Sequence, residues 1–307
     1  MNCSRQAEWK RQILLLLFAC GIVYLSIELI ARYLVPHISQ IESRTAAEDS
    51  AARSIARSAD GRHTLLLLGN SLLRTAVDLP LLHAGLAPNW SVRRYVVEST
   101  NYIDWYYGIR GLLESGSAPD AIALMLNVRQ FLSDDIRDTY SAYRLFSAAD
   151  TVRAGIRAGK HPTEIASLLI GHFSAYYGLR LEIRKYAFQK IVPESESLTR
   201  LLLAVPSTEK VSLERVETKG LARLRELGGL CKKYVVRCIF VVPPEMNPPE
   251  IRSWLVTIAE AEGFASARFD LTQQLPSHYF EPDHFHFSEQ GATAYTSHLV
   301  RSLQGIL

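Results

Sequence analysis

Thr64-Leu65-Leu66-Leu67-Leu68-Gly69-Asn70-Ser71-Leu72-Leu73-Arg74 is the stretch whose reading decides the fold. Its opening run is short, apolar and stopped by turn residues, the pattern of a strand buried on both faces of a parallel sheet. In an open α/β sheet such a strand delivers its C-terminal end to the ligand crevice. Ser71 is then expected at the strand end, on the first turn of the following helix. Unpaired backbone N–H groups and the helix dipole favour developing negative charge there. That suits a nucleophilic serine and its oxyanion donors. A plain turn with a helix N-cap also reads Gly-Asn-Ser, so the stretch needs a second signal.

Working outward, further strands are expected at 93–97, 121–126, 234–242 and 267–269. Helical patterns lie at 72–86, 103–115, 212–232, 249–263 and 288–303. Strands separated by helices imply βαβ units, a parallel sheet and a three-layer α/β/α sandwich over 62–307. A helical insertion at about 140–205 breaks the rhythm, with Thr163 expected as an N-cap. Its apolar positions Ile165, Leu168, Leu169, Phe173 and Tyr176 stand at helical spacing. In it Arg144, Arg153, Arg157, Lys160, Arg180, Arg184, Lys185 and Lys190 outnumber Asp150, Glu164 and Glu182. It reads either as a cap with a solvated charged face or as a surface for anionic headgroups or an anionic polymer.

Upstream, 13–35 is apolar apart from Glu28 and Arg32, long enough to cross a bilayer as a single helix. Arg5, Lys10 and Arg11 precede it, which predicts a cytoplasmic tail at 1–12 and an exported remainder. The apolar run is too long for a cleaved signal peptide, and Phe18 fits poorly before a lipidated Cys20. Residues 36–61 read as a partly helical stalk lifting the domain from the membrane. Over all 307 residues, 48% apolar and 21% charged content describe a folded protein, and a net charge of +3 gives no sign of a nucleic-acid partner. Cys3, Cys20, Cys231 and Cys238 match no zinc or redox spacing, and Cys231 and Cys238 read as separate structural thiols rather than a bridge.

The second signal is Glu281-Pro282-Asp283-His284-Phe285-His286-Phe287-Ser288-Glu289-Gln290-Gly291-Ala292. Asp283 and His286, three apart on a loop before a helix, allow a carboxylate to orient an imidazole whose other nitrogen faces a serine. His284 adjoins Asp283, where side chains point apart, so His286 takes the base role. As a metal half-site the pair lacks further ligands, and neither metal nor cofactor is expected.

Together, strand-Gly-Asn-Ser and Asp-x-x-His-Phe-Ser-x-x-Gly-Ala resemble the two end blocks of the SGNH (GDSL-type) hydrolases. The resemblance spans about 62–303. It implies a flavodoxin-like sheet and a triad of Ser71, Asp283 and His286, with an oxyanion hole from Ser71, Asn127 and a backbone N–H near Thr100. The middle blocks depart from the family pattern. Asn127 lacks the flanking Gly and Asp, the second block's glycine has no clear counterpart near Ser99, and Asn70 replaces the usual Asp. Arg74 and Arg129 flank the expected crevice as candidates for an acidic substrate group. Tyr102, Trp105, Tyr106 and Tyr107 offer ring stacking to sugars, shared with the core. The resemblance implies a serine esterase or O-acyltransferase acting on envelope polysaccharide, beside a membrane-bound O-acyltransferase. A lipid esterase and a catalytically silent assembly module are the alternatives.

Overall fold

The computed structural model describes residues 3–57, 61–192, 211–244, 249–267, 275–283 and 285–307. Among these, five parallel strands form one sheet: β1 (His63–Gly69), β2 (Trp90–Val96), β3 (Ala121–Met125), β4 (Arg237–Val241) and β5 (Ala265–Ser266). Their order is β2-β1-β3-β4-β5, the flavodoxin-like order that reverses between β1 and β3. β1 is apolar on both faces, as its run of leucines requires. Leu66 and Leu68 enter one core and Leu65 and Leu67 the other, while Phe240 and Ile239 divide the same way on β4.

One core lies under α3 (Ser71–Ala76), α4 (Leu79–Leu86) and α14 (Glu289–Gln304), through Leu73, Leu82 and Leu299. The expected single helix at 72–86 is two, because Asp78 caps a new start at Leu81 N and Pro80 follows at its first turn. The opposite core lies under α5 (Tyr102–Glu114), α12 (Leu221–Lys233) and α13 (Pro249–Ala261), through Trp105, Leu227 and Leu255. Tyr102, Trp105 and Tyr107 are buried in it, so of the four aromatics only Tyr106 keeps partial exposure. β5 lies just upstream of the expected 267–269, and residues 268–269 are outside the described residues. Cys231 and Cys238 are joined as a disulfide, contrary to the expected free thiols. The turn from α12 into β4 brings their Cα atoms to 6.1 Å.

After β3 comes α6 (Val128–Leu132), and the insertion follows as α7 (Asp138–Arg144), α8 (Ala148–Arg157), α9 (Pro162–Phe173), α10 (Ala175–Gly178) and α11 (Arg180–Ile191). α9 starts earlier than expected: His161 is its cap and Pro162 its first residue, since Pro is preorganised for that position. Residues 193–205 of the expected insertion lie outside the described residues.

The N-terminus is α1 (Cys3–Ile38), long and apolar enough to cross a membrane over Glu8–Ile38. Ser39 then caps α2 (Gln40–Arg53). The expected stalk is helical here, but it is docked rather than free. Glu48 accepts the Val96 N–H at 2.7 Å and Arg94 Nε at 3.0 Å, which covers the edge strand β2. At the far end of α2, Ile55 O accepts the Ala118 N–H at 2.9 Å and Ala52 O accepts Ser117 Oγ at 2.7 Å. α2 therefore runs from the C-terminal edge of the sheet, next to the end of α1, to the N-terminal edge.

Candidate active site

Ser71 opens α3 and is half-buried. Asn70 is the cap: its Oδ1 accepts the Leu72 N–H at 3.0 Å while its Nδ2 donates to Thr100 O at 2.8 Å. An aspartate would cap equally well but has no N–H to give, so the amide is what ties this turn to the loop after β2. That loop turns through Ser99 at φ 56°, the left-handed region a glycine enters without strain. Ser99 takes that conformation in a strand-end stretch, 96–100, that contains no glycine.

Asp283 and His286 form a closed unit. Asp283 Oδ1 accepts the N–H groups of Phe285 and His286, both at 2.9 Å, and Oδ2 meets His286 Nδ1 at 2.6 Å. Burial alone raises the Asp283 carboxyl. The His286 N–H, the His286 ring and the Phe285 N–H outweigh it and hold the carboxyl below its ordinary range. The carboxylate fixes the ring proton on Nδ1 and leaves Nε2 as the acceptor. Nε2 is buried and has no hydrogen-bond partner among the described residues. His284, the competing histidine, lies outside the described residues.

One residue joins the two blocks that the sequence reading passed over. Thr75 Oγ1 donates to Ser71 O at 3.0 Å and accepts the Phe287 N–H at 3.4 Å. The residue after His286 is therefore one side chain away from the residue that opens α3. The signal available in the sequence was its position, one helical turn after Ser71.

The hairpin carrying Asp283 is pinned behind by Glu281 N–H to His286 O at 2.7 Å and Ser288 N–H to Tyr279 O at 2.9 Å. Gly291 makes the fit possible, because a Cβ there would stand 2.0 Å from Tyr279 O. Gly291→Ala must push α14 away from this turn. We expect a loss of about 1–3 kcal/mol in chemical denaturation, and a larger proportional loss of activity because Asp283 and His286 ride on the displaced hairpin. Wild-type stability in the variant would contradict this.

The other expected site residues are differently engaged. Asn127 is buried as the cap of α6, with Oδ1 accepting the Gln130 N–H at 2.8 Å and its own N–H donating to Gln130 Oε1 at 3.1 Å. Thr100 is buried, and its hydroxyl donates to Val97 O at 2.6 Å. Arg74 Nε meets Glu98 Oε1 at 2.9 Å, and the same oxygen takes Arg44 Nη2 at 2.8 Å. Arg129 lines a cavity of about 190 Å³ with Ser133, Asp134, Asp135 and Arg215. A larger cavity of about 670 Å³ lies beside the start of α14, lined by His278, Tyr279 and Ser288 but not by Ser71 or His286.

No family model and no curated protein matches the chain. Among solved structures it is similar to an acetyl xylan esterase from Geobacillus stearothermophilus, at 14% identity and a TM-score of 0.40, covering 78% of this chain and 94% of that one. It is also similar to a protein from Streptococcus pneumonia described provisionally as a platelet activating factor, at 14% identity and a TM-score of 0.37, covering 92% of this chain and 98% of that one. Likenesses this loose carry no argument about chemistry. In its strand order and in its two end blocks, the chain resembles the SGNH/GDSL-type hydrolases.

Proposed function

We propose that the protein is a membrane-anchored serine esterase or O-acyltransferase acting on acylated cell-envelope polysaccharide. Its N-terminus is cytoplasmic and its α/β domain is exported. The observation that carries the reading is the Asp283–His286 pair, with Nε2 buried and uncommitted on a hairpin bonded to the helix that Ser71 opens. His286 Nε2 takes the Ser71 proton as Oγ attacks the acyl carbonyl. The Ser71 N–H, the Asn127 amide and a backbone N–H at Thr100 receive the oxyanion. The ester C–O bond then breaks, and His286 returns its proton to the departing alcohol. Water releases the acyl group, or a sugar hydroxyl accepts it. Arg74 and Arg129 are assigned to an acidic group on the glycan. A multi-span O-acyltransferase is the proposed partner. A lipid ester is the second reading, favoured by the docking of α2 beside the C-terminal edge of the sheet.

The test is reaction of the full chain with a fluorophosphonate, followed by peptide mapping. An adduct on the Ser71 peptide supports the reading, and no adduct with no aryl-ester turnover favours the silent module. Release of acetate from acetylated glycan, set against fatty acid from lysophospholipid, separates the two substrates.

The pH profile has a fixed sign. The Asp283 carboxylate has to be ionised to orient the base, so its lowered value sets how far into acid the pair survives. Held below its ordinary range, that carboxyl stays ionised at pH values where an unperturbed aspartate is already protonating. Its contribution to stability is present above the unfolded carboxyl value and is lost only as pH falls through the lower folded one. No loss of kcat/KM from a carboxylate is therefore expected above pH ~4, and a carboxylate-like limb there would contradict the reading.

A further inference from the structure

Glu28 and Arg32 are the two charges in the otherwise apolar stretch 13–35 of α1, and both are spent on one feature of the insertion. Glu28 accepts Ser174 Oγ at 2.8 Å, the Ala175 N–H at 2.7 Å and the Tyr176 N–H at 3.2 Å. Arg32 Nε pairs with Glu28 at 2.8 Å, and its Nη2 donates to Phe173 O at 3.3 Å. The corner between α9 and α10 is thereby bolted to α1. Ala31 and Val35 are buried on that side, whereas Leu29, Ile30 and Tyr33 stay exposed on the other.

The depth of this joint follows from helix geometry. A hydrocarbon layer of ~30 Å at ~1.5 Å per residue takes up about 20 residues. Counted from the flanking Lys10 and Arg11, that layer ends near Arg32. Phe173–Tyr176 therefore lie at the level of its outer boundary. The side chains the corner presents there are apolar and uncovered: Ile170 is 53% exposed, Phe173 66% and Tyr176 46%. Backbone N–H groups at such a depth need an internal partner, and the Glu28 carboxylate supplies it for Ala175 and Tyr176. On α11, which follows at once, Arg184, Lys185 and Lys190 are exposed, and exposed cations beside a membrane surface pair with lipid phosphates.

We propose that the α9–α10 corner is a second membrane contact, with Ile170, Phe173 and Tyr176 seated in the outer headgroup–acyl boundary. The inference rests on α1 crossing the bilayer and is independent of the chemistry at Ser71. Glu28 is the residue that docks this foot, and the foot fixes the domain's height and tilt.

The test uses the full chain, with Cys3 and Cys20 changed to serine, in nanodiscs of phosphatidylcholine with a minor share of phosphatidylglycerol. Spin labels go on Leu17→Cys in the span, Phe173→Cys at the corner, and Ser115→Cys at the opposite edge of the sheet. Collision with oxygen reports lipid, and collision with a water-soluble nickel chelate reports solvent. The expected oxygen-to-nickel ratio at Phe173 is several-fold above that at Ser115 and below that at Leu17. Adding Glu28→Ala should return the Phe173 label toward the Ser115 value while Leu17 is unchanged. A Phe173 label as open to nickel as Ser115, with Leu17 in lipid, overturns the foot. A Leu17 label in water overturns the span and the foot with it.

Discussion

Ser71→Ala is expected to lower kcat for an aryl ester by about 10⁴-fold or more, with KM little changed. Oγ is the atom that the proposed mechanism makes covalent, and its removal deletes that acyl-serine route altogether. What stays behind in the proposed mechanism is binding and oxyanion stabilisation by the N-terminal turn of α3, which alone sustains only slow attack by water. The substitution is mild for the fold: Ser71 is half-buried, and the cap of α3 is supplied by Asn70. Unfolding should therefore be unchanged within about 0.5 kcal/mol, so lost turnover reads as lost chemistry. Fluorophosphonate labelling must vanish in the same variant. Turnover within tenfold of wild type would end the serine mechanism.

The largest effect on stability is expected at Glu42. Its side chain is fully buried on α2, ion-paired with Arg144 of α7 and accepting the Tyr140 hydroxyl at 2.7 Å. Glu42→Ala leaves a guanidinium buried without its counter-charge, which costs about 3–5 kcal/mol. For a domain of this size that is a Tm lower by about 10 °C. The double variant Glu42→Leu, Arg144→Met removes both charges and should recover most of the loss, because an apolar pair of similar volume spares the desolvation. Thermal scans of the three proteins in one detergent decide it. A single variant within a few degrees of wild type would mean that α2 contributes little to holding the insertion.

The sheet was legible because its strands are extreme. Leu65–Leu68 alternate between two cores with no polar residue on either face, and no other secondary structure suits so short a run. The Asp283–His286 pair was legible because three residues on one loop suffice to make it. The break at Asp78 was written in its cap and in Pro80, but the apolar spacing ran on across it. The fate of 36–61 was hidden: Glu48, Arg44 and Glu42 look like solvated charges until β2, Glu98 and Arg144 are brought opposite them. Thr75 was hidden for the same reason, since its partner Phe287 is 212 positions away. Long-range polar pairing has no periodicity to read.

The course of α2 has a kinetic consequence. Arg44, near the end of α2 that follows the anchor, holds Glu98, and Glu98 holds Arg74, three residues from Ser71. On the proposed lipid-ester reading, with α1 crossing the bilayer, this arrangement sets Ser71 on the side of the domain nearest the lipid, and encounters take place in a plane rather than a volume. Velocity on a lipid ester should track the number of substrate molecules per unit of bilayer area, and diluting the vesicles at fixed lipid composition should leave it unchanged, whereas turnover of a soluble acetylated glycan should follow its bulk concentration.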